Sequence, residues 1–96
     1  MKVEYHPLTI VDLNNSVSYY NQQHIGLGEE FRKEVYEAIA RIQENPLQYA
    51  ITKHDIRRCF VHRFPYSVLF HLVGKNIIYI LVIRHHRRHL KFGLNR

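Results

Sequence analysis

The sequence predicts an α+β domain of order β-α-α-β-β-β, with a helical hairpin packed on one face of a small, twisted, largely antiparallel sheet. Three features predict it. Ile77–Ile83 is an unbroken run of seven apolar residues without Gly or Pro, which reads as a strand covered on both faces and hence central in its sheet. Two stretches ahead of Pro46 carry apolar residues at helical spacing, and Ile56 to Leu72 alternates as half-buried strands do. With 96 residues, 46% of them hydrophobic, the chain supports one core and so one domain, residues 1–96.

Lys2–His6 sets Val3 and Tyr5 against Lys2, Glu4 and His6, a short half-buried strand that Pro7 ends. Proline suits the first turn of a helix, where the N–H it lacks would be unpaired anyway. Thr9 with Asp12 offers a capping box as the alternative start. Ile10, Leu13, Val17 and Tyr20 mark the buried stripe of this first helix, which ends near His24 with Gly26 as a left-handed stop. Tyr19 and Tyr20 cannot both share that stripe, so at least one ring is partly exposed. Gly26-Leu27-Gly28 forms a tight corner, and Glu29, Glu30 and Glu34 then put negative charge where a helix N-terminus favours it. Phe31, Val35, Ala38, Ile39 and Ile42 form the buried face of the second helix, which Asn45-Pro46 closes. So short a connection makes the two helices antiparallel. Glu37 and Arg41 have the spacing of a supporting pair.

Leu47–Asp55 reads as a loop. A strand follows with Ile56, Phe60 and Phe64 on one parity and Cys59 and Val61 on the other, while Arg57, Arg58, His62 and Arg63 solvate one face. Pro65 breaks it, Tyr66, Val68, Phe70 and Leu72 resume the alternation, and Gly74-Lys75-Asn76 turns into the central strand.

Charge is segregated along the chain. Residues 1–50 hold four Lys/Arg against seven acids, net −3; residues 51–96 hold ten against Asp55 alone, net +9. Such a field attracts polyanions, either nucleic acid or an acidic protein segment. No apolar stretch approaches the ~20 residues of a bilayer span. Met1-Lys2-Val3-Glu4 leads into strand-like sequence rather than a signal peptide, so a cytoplasmic protein without a membrane partner is expected. Cys59, the one cysteine, has no internal partner and is expected as a buried structural thiol.

Where the central strand leaves the core it delivers Arg84, His85, His86, Arg87 and Arg88 to one sheet edge. Metal-free RNA cleavage needs a base for the 2′-OH, an acid for the leaving oxygen, and cations for the charged transition state. His85 and His86 are the candidates for the two proton roles, or one of them with His62. Arg63, Arg84, Arg87 and Arg88 would clamp phosphates, with Arg57, Arg58, Lys91 and Phe92 extending the RNA-binding surface. Strand residues alternate between faces, so His85 and His86 line one face only if the strand has ended; otherwise one of them is structural. His6 reads as a cap, His54 and His71 as surface positions, and Phe64 and Tyr66 as core rather than base-stacking rings. His85 and His89 have metal-ligand spacing, but without acidic or Cys companions no metal is expected, nor any cofactor. A second reading needs no catalysis: the cationic half holds an acidic, initially disordered partner, which adds a strand to the open sheet edge.

The chain closely resembles the RelE/ParE superfamily, the toxins of bacterial type II toxin–antitoxin systems. The resemblance rests on Tyr5-His6-Pro7 with Asp12-Leu13, Gly28-Glu29-Glu30-Phe31, Ile42 with Asn45-Pro46, Ile56-Arg57-Arg58, Arg63-Phe64-Pro65-Tyr66-Ser67-Val68 and His85-His86-Arg87-Arg88. It looks most like the plasmid-stabilisation-protein branch. The resemblance implies a RelE/ParE-like fold, a cognate antitoxin, and one of two activities: ribosome-dependent mRNA cleavage as an mRNA interferase, or inhibition of DNA gyrase without nuclease activity. Ribosome-dependent cleavage is the leading expectation, with gyrase inhibition, or a decayed toxin that only binds its antitoxin, as the alternative. Ribonuclease members commonly carry Arg where this chain has Ser67, and often a Tyr where it has Phe92. The branch frequently has Asp-Pro and then Trp beyond the two arginines, where this chain has His89-Leu90 and Gly93.

Overall fold

The structure, a computed structural model, describes residues 1–96. Strand β1 (Lys2–Tyr5) leads into helices α1 (Pro7–Gln23) and α2 (Leu27–Glu44), a short 3-10 turn (Pro46–Gln48), and strands β2 (Arg57–Phe60), β3 (Tyr66–Val73) and β4 (Ile77–His85). The sheet order is β1-β4-β3-β2, with β1 parallel to β4 and the other pairs antiparallel. The expected α+β architecture is present, and β4 lies inside the sheet as its apolar run requires.

His6 caps α1: its Nδ1 accepts the Leu8 N–H at 3.1 Å, with Pro7 in the first helical position. The Thr9–Asp12 capping box does not form. Thr9 is fully buried, and its hydroxyl reaches the carbonyls of Ile80 and Leu81, at 3.2 and 2.8 Å. The buried stripe of α1 is thus Thr9, Leu13 and Val17, with Tyr20 half-buried and Ile10 left exposed. The reason is positional: β1 stops at Tyr5 opposite Ile80, so the β4 edge beyond it needs polar partners, and the first turns of α1 supply Thr9.

Helix α2 buries the face its sequence predicts, Phe31, Val35, Ala38, Ile39 and Ile42. Gly26 is left-handed (φ 86°) at the corner. Gly28 lies against α1, where its N–H donates to Asn21 Oδ1 at 2.8 Å and an added Cβ would sit 2.2 Å from the Val17 carbonyl oxygen. The helices pack this closely because that side chain is missing. Arg41 does not pair with Glu37; its guanidinium donates to the Phe60 carbonyl at 2.9 Å and so ties α2 to β2.

The main core lies between the helices and one sheet face, where Cys59, Val68, Phe70, Ile78, Ile80 and Ile83 meet Phe31, Val35, Ile39 and Ile42. At one end the rings of Tyr20, Phe31, Phe64 and Tyr66 interlock at centroid separations of 4.6 to 6.1 Å. The second face is covered too, by Phe92 and Leu94 from the C-terminal segment against Ile56, Leu69, Leu81 and Val82. Strand β2 is shorter than expected. Beyond Phe60 the chain turns so that the Val61 N–H bonds the Tyr66 carbonyl; Phe64 enters the aromatic cluster, whereas Phe60 stays exposed on the far face.

One irregularity organises the functional end. Leu69 pairs with Val82 but Phe70 with Ile80, which leaves Leu81 as an extra, bulged residue in β4. Ile78 and Ile80 face the helices, and after the bulge Ile83 and His85 do. The bulge therefore reverses which side each residue of the Arg84–Arg88 segment takes.

Candidate functional site

His85 and His86 part company at the end of β4. His85 sits opposite Tyr66 on the helix side, its ring edge-on to the Tyr66 ring at 5.0 Å, and its Nδ1 accepts the Arg87 N–H at 2.9 Å. It borders a small hollow of about 110 Å³ with Asp12, Asn15, Ser16, Tyr66 and Phe92. Burial, and then the nearby Arg87, His86 and Arg88, hold its pKa below the ordinary histidine value. His86 turns to the far face, where its Nε2 lies 2.9 Å from the Ser67 hydroxyl and its ring stands edge-on to Phe60 at 5.6 Å. The structure does not bring the two imidazoles to one site.

Several other expected site residues serve the protein's own architecture. Arg63, left-handed at φ 70°, pairs with Glu30 at 2.8 Å and Glu34 at 3.7 Å on α2; the hydrogen bond to Glu30 raises its pKa. It lines neither hollow at the end of β4. Arg57 donates to the Tyr49 carbonyl at 2.7 Å and holds the 47–49 turn. Arg84 is 8% exposed and donates to the Leu90 carbonyl, which pins the chain after β4; burial, and then Arg58, lower its pKa. Phe92 packs on the sheet with Arg88 and Arg96 guanidiniums over its ring at 4.7 and 5.4 Å, so its ring is engaged within the protein. His62 is exposed and has no side-chain partner; Arg87 is exposed as well, its backbone N–H taken by His85.

What the fold does assemble is a cationic groove of about 850 Å³ on the sheet face away from the helices. Arg58 from β2 and Arg84 and His86 from β4 meet Lys53 and His54 of the preceding loop and Arg88, His89 and Lys91 of the C-terminal segment. No acidic residue lines it. Sequence reasoning marked Arg58, Arg84, His86, Arg88 and Lys91. It missed the contributions of Lys53, His54 and His89, as well as Ser67, which orients His86. The signal for the loop residues was the charge excess that begins at Lys53; for Ser67 there was none, because its role depends on pairing with Arg84 across the ladder.

The groove is held open by the C-terminal segment. Gly93 is left-handed (φ 79°) and lies flat on the sheet, where an added Cβ would meet the Val82 side chain at 2.7 Å. Arg96 then forms a two-pronged pair with Asp12 at 2.6 and 2.9 Å and also donates to the Leu81 carbonyl, the bulged residue. Such guanidinium–carboxylate forks are geometrically specific. No group of His, Cys, Asp and Glu side chains gathers with the geometry to hold a metal ion. No helix is long and apolar enough to cross a membrane.

Comparison with known proteins places this arrangement. The chain is similar over 88% of its length to a protein from P. aeruginosa solved as "Chromosomal ParDE TA system", covering 95% of that chain with a TM-score of 0.79 at 21% identity, which shows a shared fold. No curated protein sequence matches it. The sequence pattern of the family described as "ParE toxin of type II toxin-antitoxin system, parDE" matches residues 3–90. With nearly the whole domain inside that match and the expected RelE/ParE-like fold around it, the chain belongs to the ParE family of toxins of type II toxin–antitoxin systems.

Proposed function

We propose that this toxin acts by binding rather than by cutting RNA, that its target is DNA gyrase, and that a cognate antitoxin silences it. The observation that carries the reading is the separation of His85 from His86. General acid–base cleavage needs both proton carriers at one phosphate, and here one faces α1 and Tyr66 while the other faces Ser67 and Phe60. Arg63, neutralised by Glu30 and Glu34, and Phe92, enclosed by two arginines, weigh the same way. Gyrase inhibition is the activity that family membership offers to a scaffold in which His85 and His86 do not share a site. The antitoxin fits the charge: a basic half of net +9 draws an acidic segment, which can order itself against the open edge of β1.

Expression of the chain alone, with parallel reporters for DNA damage and for translation, tests the reading. DNA-damage induction with intact transcripts is expected, together with loss of supercoiling by purified gyrase. Prompt translation arrest with ribosome-phased cuts in mRNA would restore the mRNA interferase reading and refute this one.

A further inference from the structure

We infer that the cationic groove is a binding site for a single strand of DNA, through which the toxin grips the nucleic acid held by its target. The choice of DNA over RNA rests on the gyrase reading; the site itself rests on the groove. Its floor is sheet, formed by Arg58, Arg84 and His86, and its walls are the 52–54 loop and the 88–95 segment. A trough walled on both sides has the form that tracks a single extended strand. Its lining has cations and imidazoles and no carboxylate, so phosphates meet only donors.

The second observation is Phe60. This phenylalanine is 54% exposed at the end of a short edge strand, and its ring neighbours are Arg58 and His86 of the groove rather than the core. Its ring lies beside the groove, with the Arg58 guanidinium 4.8 Å over it and the His86 ring edge-on at 5.6 Å. A positively charged channel with an aromatic face at its lip is how sequence-tolerant single-strand binders work: the channel follows the backbone and the ring takes a base. His86 is fixed for that role by Ser67, and Arg84 by the Leu90 carbonyl, so two of the groove's donors are preset before any strand arrives.

Fluorescence anisotropy with the full chain and a labelled oligothymidylate tests the inference, alongside an oligouridylate, a DNA duplex and a polyglutamate of similar charge. The DNA strand is expected to bind most tightly, with log K falling against log salt by about 0.7 per phosphate contacted. Arg58→Ala with Lys91→Ala should flatten that slope. Phe60→Ala should weaken binding roughly tenfold while leaving the slope unchanged, since a lost stack carries no counterions. Lys75→Ala, at the β3–β4 turn outside the groove, should match the parent. Equal affinity for polyglutamate with no effect of Phe60→Ala would reduce the groove to a general polyanion attractor and overturn the inference; tighter binding of the RNA strand would overturn the choice of DNA. Gyrase inhibition measured on the same preparations separates the two proposals: a Phe60→Ala protein that still inhibits fully, beside a parent that binds no strand, sinks the groove assignment alone.

Discussion

His85 and His86 are consecutive, and the sheet's pleat sends them to opposite sides, where each meets a different chemistry. Around His85 lie a tyrosine ring and a helix, and burial, then Arg87, His86 and Arg88, disfavour its charged form. The unfolded chain then takes up a proton more readily than the folded one as pH falls through the ordinary value of 6.5, so acidification costs stability in that window until the folded group also titrates. His85→Gln is expected to lessen the fall in Tm between about pH 7.5 and about pH 5.5; an equal fall in both proteins would show that another group is responsible. Thr9 shows the same dependence on surroundings. Its sequence neighbours suggest a cap, but the carbonyls of Ile80 and Leu81 in β4 claim its hydroxyl. Cys59, by contrast, is a buried thiol between β2 and α2 as its type and setting predict, with Sγ 3.8 Å from the Ala38 carbonyl.

Among the elements, the C-terminal segment does most to shape the site. It has no regular secondary structure, yet Phe92 and Leu94 close the second core, Gly93 permits the close approach to Val82, and Arg96 locks to Asp12 across the end of β4. Both side chains of that pair are about nine-tenths buried, so removing one partner leaves a charge without compensation. Arg96→Ala is therefore expected to lower stability by roughly 3 kcal/mol in urea denaturation. Adding Asp12→Ala should recover part of the loss, since the two changes act on one interaction. A loss near zero would mean that packing of Phe92 and Leu94 holds the segment unaided. Helix α2 needed no such long-range help. Its buried stripe was legible residue by residue because its apolar positions recur at the helical period and its charges fill the other face.

Taken whole, the molecule is a helix-covered sheet whose bare end is cationic, and this polarity governs how fast partners arrive. Charges of one sign gathered in one groove steer an acidic segment at long range, and salt screens that steering. The association rate of the toxin with an acidic antitoxin segment should fall about tenfold or more as salt rises from low to physiological strength, while the dissociation rate changes little. Stopped-flow mixing measures both; a salt-insensitive association rate would show that the groove takes no part in recognition. The order of elements, the inner position of β4, the buried face of α2 and the basic second half were all determined by the sequence itself, since periodicity, turn residues and charge are local properties. Tertiary structure alone decided the Leu81 bulge, the face each histidine takes, the burial of Arg84, the packing of Phe92 on the sheet, and the lock between Arg96 and Asp12. The physical reason is that an all-apolar strand carries no alternation to reveal a slipped register, and a side chain's partners across the fold are set by contacts that no local window of sequence contains.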